Sequence, residues 1–443
     1  MEQKTSASPQ LARRLGLFDA SMIVMGGIIG SGIFINPYVV AQRLHSASLI
    51  LLAWAFGGAV ALAGAFVYAE LGSRRPEAGG QYAYLREAYH PSIAFLYGWT
   101  LLLVVQTGGM AAVALTFSRY FLAATSWGVS DGAVAAIAIL LITIVNCFGV
   151  RAGSSLQNVL MVLKIGAIAA LILCGILFAQ PLQNEAAAAS SGAPVSPGVL
   201  AAFGAALIPV LFAYGGWQTV NFIAGEVRQP EKNLPRGLII GVSAVVLLYL
   251  AVNFVCLRVL GAAGLAATST PASRVMEAAF GQTGSRFIAS GVAISTLGFL
   301  SQGMLTAPRV YYAMADNGLF LKSVARLHSK THAPIFAIIL QGALTFVIAL
   351  SGRYEQILNY VVSSDFIFFG LTGTCVFVLR RRKENNGVFH IPGHPWTTFF
   401  FIAACWMVVA ATVFNYPLNS LIGFAIILSG VPVYLYWSRA RKA

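Results

Sequence analysis

The residues GGIIGSGIF, Gly26 to Phe34, lie inside the first long apolar run of the chain and set four glycines around Ser31. A glycine in a helix interior costs roughly 1 kcal/mol relative to alanine, so this stretch is where that helix is weakest. Gly26 and Gly30 also make a small-xxx-small pair, and close helix packing alone would use them in the same way. A second stretch of this kind, FAYGGWQTVNF at 212–222, puts Gly215 and Gly216 between Tyr214 and Trp217, with Pro209 shortly before. Where the two stretches stand in the chain decides how they are read.

Of the 443 residues, 58% are hydrophobic and only 9% are charged. Soluble domains carry about 25% charged residues, so this chain is built for lipid, as an all-α polytopic membrane protein. Runs of about 20 apolar residues, each able to cross a bilayer core, recur from end to end. They predict twelve transmembrane helices at 18–42, 48–72, 92–123, 131–149, 153–179, 198–225, 236–259, 285–314, 334–352, 356–379, 397–414 and 417–438. The two glycine-rich stretches fall in the first and sixth. Five helices apart is where an inverted repeat of five plus five would put equivalent broken helices, the best pointer in a sequence to a binding site at mid-membrane. The whole chain, 1–443, then reads as one transmembrane domain. Its repeats cover about 18–179 and 198–379, and two further helices cover 397–438.

Twelve spans put both termini on one side. With that side cytoplasmic, 21 of the 28 lysines and arginines lie inside and six outside, and Lys164 is left within a span. This asymmetry predicts cytoplasmic termini, and the expected location is the plasma (inner) membrane. The formal charge of +14 is therefore a matter of orientation, and no nucleic-acid partner is expected. Met1 to Arg14 is polar and the first apolar run is too long for a cleavable signal peptide. The segment SRRPEAGGQYAYLREAYH at 73–90 predicts an interfacial helix on the cytoplasmic face. The other polar stretches are the linker around 180–197, the segment 260–284 and the loop 315–333.

The five cysteines, Cys147, Cys174, Cys256, Cys375 and Cys405, all fall in apolar spans and make no CxxC pair. The six histidines lie in loops or at span ends without HExxH spacing. No metal, no cofactor and no enzymatic chemistry are expected from such a set, since a membrane-embedded enzyme needs a nucleophile and base or metal ligands at membrane depth.

Broken helices carry their own chemistry. The N–H groups near Ser31, Gly32 and Ile33, at the start of a second half-helix, suit a carboxylate, which the helix dipole there also favours. Carbonyls ending the preceding half-helices, near Ile28, Phe212, Ala213 and Gly215, can accept from an ammonium. A zwitterionic α-amino acid satisfies both ends without a buried charged side chain. Side-chain selectivity would then fall to Thr107 and Gly108 on the third span, Tyr214, Trp217 and Thr219 on the sixth, and Ser295 and Thr296 on the eighth. Tyr214 and Trp217 serve equally well as packing aromatics. No acid stands at mid-membrane in spans one, three, six or eight, which argues against cationic substrates and polyamines.

GSGIF at 30–34, YAELG at 68–72, GGQYAYL at 79–85, ALTF at 114–117, FAYGGW at 212–217 and NLPRG at 233–237 occur in this order. Together they resemble the amino acid–polyamine–organocation superfamily, and within it the L-type amino acid transporters and their prokaryotic relatives. The resemblance covers nearly the whole chain. It implies the LeuT-type 5+5 fold with two further helices, alternating access, and sodium-independent transport of small neutral L-amino acids, by exchange or by proton symport. It also implies that Ser31 and Gly32 bind the substrate carboxylate through N–H groups, and that Ile28, Phe212 and Gly215 bind its amino group through carbonyls. A transporter-like amino-acid sensor would share these marks.

Two departures matter. Animal L-type members carry a cysteine between the third and fourth spans that links them to a glycoprotein. AATSWGVSD at 123–131 has none, so no disulfide-linked heavy subunit is expected. QTGGM at 106–110 also differs, so size selectivity does not carry over.

Lys164 lies about eleven residues into the fifth span, about 16 Å along a helix, where snorkelling out of the membrane is hard. Charges at that depth are functional by default. In sodium-independent relatives a lysine resembling Lys164 stands in the place of a sodium ion, bridging the first and eighth helices. A titrating lysine would suit proton coupling, and a permanently charged one would brace an exchanger. Asp365, beside Ser363 and Ser364 in the tenth span, answers to no motif. It reads as a vestibule carboxylate or a coupling group. Glu70, Glu226 and Asp316, near Arg74, Arg228 and Arg309, read as gate or anchor charges.

Overall fold

The computed structural model describes residues 11–125, 127–182, 198–351, 354–382 and 389–440. Lys4, Arg353, Lys383, Arg441, Lys442 and most of the linker at 180–197 lie outside them. The described residues are helical throughout, apart from loops and one isolated parallel bridge between Leu15 and Val227.

Among the described residues, eight helices are long and apolar enough to cross a membrane, and nine when one bent pair is counted as a span. That pair is α1 (Leu17–Ile28) and α2 (Gly32–Leu44), which meet at 41°. The next helices are α3 (Ala47–Arg74), α4 (Gln81–Ala88), α5 (Pro91–Thr100), α6 (Gln106–Thr125), α7 (Asp131–Cys147), α8 (Val150–Leu177) and α9 (Gly198–Ala213). A single π turn, Leu101–Val105, joins α5 to α6, and a 3-10 helix, Trp217–Glu226, follows α9. The chain continues through α10 (Pro230–Ala267), α11 (Pro271–Thr306), α12 (Pro308–Asp316), α13 (Ile335–Leu350), α14 (Tyr354–Arg380), α15 (Trp396–Asn415) and α16 (Pro417–Ala440). The expected fourth, ninth and tenth spans correspond to α7, α13 and α14; the first two are apolar but shorter than the rest.

Two polar stretches take a different form from that expected. The segment 260–284 is largely helical, because Gly261 (φ 69°) turns the chain within α10 and Pro271 starts α11 at a position where its missing N–H has no cost. The helix expected to lie on the membrane surface, α4, is packed into the protein instead, with Gln81, Tyr82, Tyr84 and Leu85 fully buried. Gly80 (φ 45°) lets it dock: a Cβ there would stand 2.6 Å from the Asn221 backbone.

Helices in lipid gain little from hydrophobicity and associate through close packing, so small residues decide which helix touches which. Gly237 and Gly241, a small-xxx-small pair on α10, receive α1. Added Cβ atoms would come within 2.9 Å of Ala20 and 2.6 Å of Val24. The first half-helix is thereby fixed against α10 as far as its break.

The end of the bundle that holds Arg14 is sealed by buried ion pairs. Arg309 lies 2.6 Å from Glu226, with both side chains almost inaccessible. Glu70 takes Arg74 at 2.8 Å, Arg380 at 2.5 Å and the N–H of Ile391 at 3.0 Å. The N–H groups of Arg14 and Leu15 both donate to the Glu226 carbonyl, tying the start of the chain to the 3-10 helix.

Candidate functional site

The two helix breaks meet at the centre of the bundle. α1 ends at Ile29 in extended geometry, and α2 begins at Gly32 after Ser31. α9 ends at Ala213, and Gly216 (φ 100°) turns the chain into the 3-10 helix. Gly27 and Gly216 lie backbone against backbone: a Cβ on Gly27 would stand 2.5 Å from the Gly216 carbonyl oxygen. Only glycine permits both this approach and the left-handed φ at Gly216.

A cavity of about 180 Å³ opens between the breaks. By the same measure one water needs roughly 10–15 Å³, so the space suits a small organic molecule. Its wall includes Ile28, Gly30, Ser31 and Gly32 from the first break and Phe212, Ala213, Gly215 and Gly216 from the second. The N–H groups that open α2 have no carbonyl of their own helix to bond, and they stand at the positive end of its dipole. Such a wall can hold a carboxylate.

Most of the carbonyls freed by the breaks already accept hydrogen bonds. The Lys164 ammonium, fully buried, donates to Ile29 O. Ser295 Oγ donates to Gly30 O at 3.0 Å, so α8 and α11 both grip the first break. The phenol of Tyr249 bridges Ile28 O at 3.1 Å and Ala213 O at 3.3 Å, joining one break to the other. Phe212 O takes the Gly215 N–H at 3.1 Å. A carbonyl keeps a second lone pair, so Ile28, Phe212 and Ala213 can still accept from a ligand. Gly298 on α11 makes room for the lysine, since a Cβ there would stand 3.2 Å from its Cε.

Ile28, Ser31, Gly32, Phe212, Ala213, Gly215 and Asp365 line the cavity, and Thr219 does so from the 3-10 helix. Of the residues expected to face the substrate, Ile33, Thr107, Gly108, Tyr214, Trp217, Ser295 and Thr296 stand back from it. Gly108 is buried within α6, Ser295 grips the first break instead, and the Thr296 hydroxyl donates within its own helix, to Ala293 O at 2.8 Å. Thr107 is buried and its hydroxyl donates to Leu102 O at 2.7 Å. The π turn at Leu101–Val105 inserts one extra residue before it, and the cavity face of α6 passes to Gln106 and Gly109. Ile33 is buried, so that only its N–H belongs to the helix start. Trp217 packs on Tyr68 at 4.9 Å, Phe369 at 5.7 Å and Phe401 at 6.1 Å. It supports Phe369, which is part of the wall. Tyr214 lies 5.0 Å from the ring of Tyr249 and is a packing aromatic.

Sequence reasoning passed over Tyr249, Gln106, Gln218 and Gln302. Gln218 Oε1 accepts the Gly216 N–H at 3.0 Å, and Gln302 donates to Thr219 Oγ1, holding the second break open. A lone tyrosine in an apolar span gives no signal. The three glutamines were legible as uncharged polar groups at membrane depth. Among the described residues no set of three or more His, Cys, Asp or Glu side chains gathers as a metal site.

Comparison with known proteins places these features in context. The pattern of a family described as amino acid permease matches residues 15–437. The chain is 31% identical to the serine/threonine exchanger SteT of Bacillus subtilis (strain 168), over 98% of each protein. It is 33% identical to the mouse (Mus musculus) b(0,+)-type amino acid transporter 1, over 88% of this chain and 80% of that protein. It is 31% identical to the human (Homo sapiens) large neutral amino acids transporter small subunit 2, over 98% of this chain and 82% of that protein.

Proposed function

This chain belongs to the amino acid permease family and is a membrane-embedded amino acid transporter, not an enzyme; from that premise we propose that it exchanges small neutral L-amino acids by alternating access, without sodium. The observation that carries the proposal is the Lys164 ammonium on the Ile29 carbonyl, inside the first break. A sodium ion held by the broken helix would need carbonyls such as Ile29 O and Gly30 O. Here the Lys164 ammonium stands on Ile29 O, where its charge repels a second cation, and the Ser295 hydroxyl bonds Gly30 O beside it. With that charge built in, the site needs no inorganic cation to be complete, and return of the carrier is favoured by a second substrate molecule.

In this reading the substrate carboxylate sits at the N–H groups of Ser31, Gly32 and Ile33, and the ammonium faces the carbonyls of Ile28, Phe212 and Ala213. The cavity volume and its mostly apolar wall suit side chains the size of alanine, serine or threonine. The name of the Bacillus relative, a serine/threonine exchanger, favours the same class. The repeats would be 18–179 and 198–379, with the first and sixth spans moving against the rest. The charge asymmetry supports cytoplasmic termini, and the reading takes the plasma membrane as the site of transport. The end sealed by Arg309–Glu226 and Glu70–Arg380 is then the cytoplasmic gate, and the cavity, which reaches Thr116 on α6, is open towards the outside. The missing cysteine in 123–131 favours a protein that works without a disulfide-linked heavy subunit, unlike a relative whose name marks it as a small subunit.

Uptake of radiolabelled alanine, serine and leucine into proteoliposomes tests the proposal, with and without internal amino acid and with sodium replaced by choline. Uptake that requires internal substrate and ignores sodium is expected. Sodium-dependent accumulation into empty vesicles would overturn it.

A further inference from the structure

Asp365, on α14, is the single ionisable side chain among the described residues that line the cavity. It is half-buried between Phe366 and the cavity space, and Phe366 and Phe369 flank it on the wall. Among the described residues its carboxyl makes no hydrogen bond and no ion pair. The titratable groups that face it are the phenol of Tyr68 on α3, the phenol of Tyr97 on α5 and the thiol of Cys405 on α15. The π turn, α4, α6 and α16 also pack on α14; the charged side chains of α4 and α6 that form ion pairs or hydrogen bonds do so elsewhere, Arg86 with Asn317, Glu87 with Arg75 and Arg382, and Arg119 with Asp131. Lys164 is turned away, behind the first break.

When the cavity closes around its substrate and loses its water, an ionised carboxylate there, without a cation or donor, is strongly disfavoured by desolvation. The helix breaks cannot relieve it, because the substrate ammonium is directed at their carbonyls. A neutral side chain brings no charge. What remains is a proton, arriving from the water that reaches the cavity.

We infer that Asp365 is a proton-binding site of the transport cavity, and that a neutral amino acid is carried with this carboxyl protonated in both directions of the exchange. This rests on the transport reading above and adds a second ligand, the proton, to the same cavity. It also moves the titrating role away from Lys164, whose ammonium stays fixed on Ile29. No net proton movement accompanies one-for-one exchange, because each direction carries one. The proton is read instead in substrate affinity. Once the external pH exceeds the value at which Asp365 releases its proton, the apparent KM for alanine rises by tenfold per pH unit, the slope of one required proton.

The test is exchange of radiolabelled alanine in proteoliposomes with external pH stepped from 5 to 9, for the wild type, Asp365→Asn and Asp365→Glu. The expected result is a KM that climbs in the wild type, is flat in Asp365→Asn whatever its absolute value, and climbs again in Asp365→Glu. A wild-type KM that varies less than twofold overturns the proton site while leaving exchange intact. A slope that persists in Asp365→Asn also overturns it, by putting the proton elsewhere. Absence of any alanine, serine or leucine exchange by the wild type would instead overturn the transport reading. Should Asp365→Asn fail to fold, labelling of the wild type by dicyclohexylcarbodiimide, which attacks protonated carboxyls in apolar surroundings, gives an independent answer. Labelling of Asp365 that falls as pH rises, and that alanine alters, supports the site. Labelling absent at pH 5 rejects it.

Discussion

Replacing Gly216 by alanine should spread the two broken helices apart and destabilise the protein at its centre. The added Cβ would fall on the Gly27 carbonyl, 2.6 Å from its carbon. Carbon atoms in contact prefer about 3.5–4.0 Å, so the backbones must part by about 1 Å. Overpacking of this kind costs roughly 1–3 kcal/mol, and holding alanine at a φ of 100° adds roughly 1–2 kcal/mol. The sum, about 2–5 kcal/mol, is a large part of the roughly 5–15 kcal/mol that keeps a protein folded. Gly204, on α9 ahead of the break, has nothing within 4 Å of an added Cβ and serves as the control. Alanine there should be neutral or slightly stabilising, since the residue is helical. The assay is thermal unfolding in detergent together with alanine exchange. Gly216→Ala should lower Tm by ~5 °C or more and cut exchange by tenfold or more, while Gly204→Ala does neither. A Gly216→Ala protein with the Tm and exchange rate of the wild type would refute the close approach of the two breaks.

Lys164→Ala removes a charged donor from Ile29 O, an interaction of about 1.5–3 kcal/mol, so exchange should fall by roughly tenfold or more while the protein remains monodisperse on gel filtration. Wild-type exchange in that variant would remove the lysine from the site. Glu226→Gln leaves the Arg309 guanidinium buried without its counter-charge, at a cost of about 3–5 kcal/mol to the sealed state. Cysteines placed near Gly27 should then react faster with a thiol reagent applied from the terminal side, and unchanged reactivity would mean that this pair is no gate. On that face Arg75 hydrogen-bonds and pairs with Glu87 at 2.6 Å, and holds its carboxyl below the ordinary value of 4.5. A depressed carboxylate contributes stability that is present above 4.5 and lost as pH falls through the lowered value. Between pH 5 and 8 that contribution is therefore fully present and constant, and Glu87 should give Tm no pH dependence there. Below about pH 4.5 the wild type should lose more than Glu87→Gln does, and an equal loss in both proteins would show that the pair contributes nothing.

What the sequence determined by itself was whatever depends on local composition. Apolar length and scarce charge make membrane helices whatever the neighbours do, and clustered glycines weaken a helix wherever it lies, so the spans and both breaks at Gly26–Gly32 and Gly215–Gly216 were legible. Lys164 was legible too, because a charge at that depth is costly in any fold. Tertiary structure decided which atoms fill the breaks. Ile29 O, Gly30 O and Ile28 O receive Lys164, Ser295 and Tyr249 from 135, 265 and 221 residues away along the chain, and no local pattern encodes such pairings. It also decided which face of a helix looks into the cavity. A π turn of five residues moved that face from Thr107 to Gln106 and Gly109, because one inserted residue turns everything after it by about 100°, and periodicity averaged over a whole span does not register it.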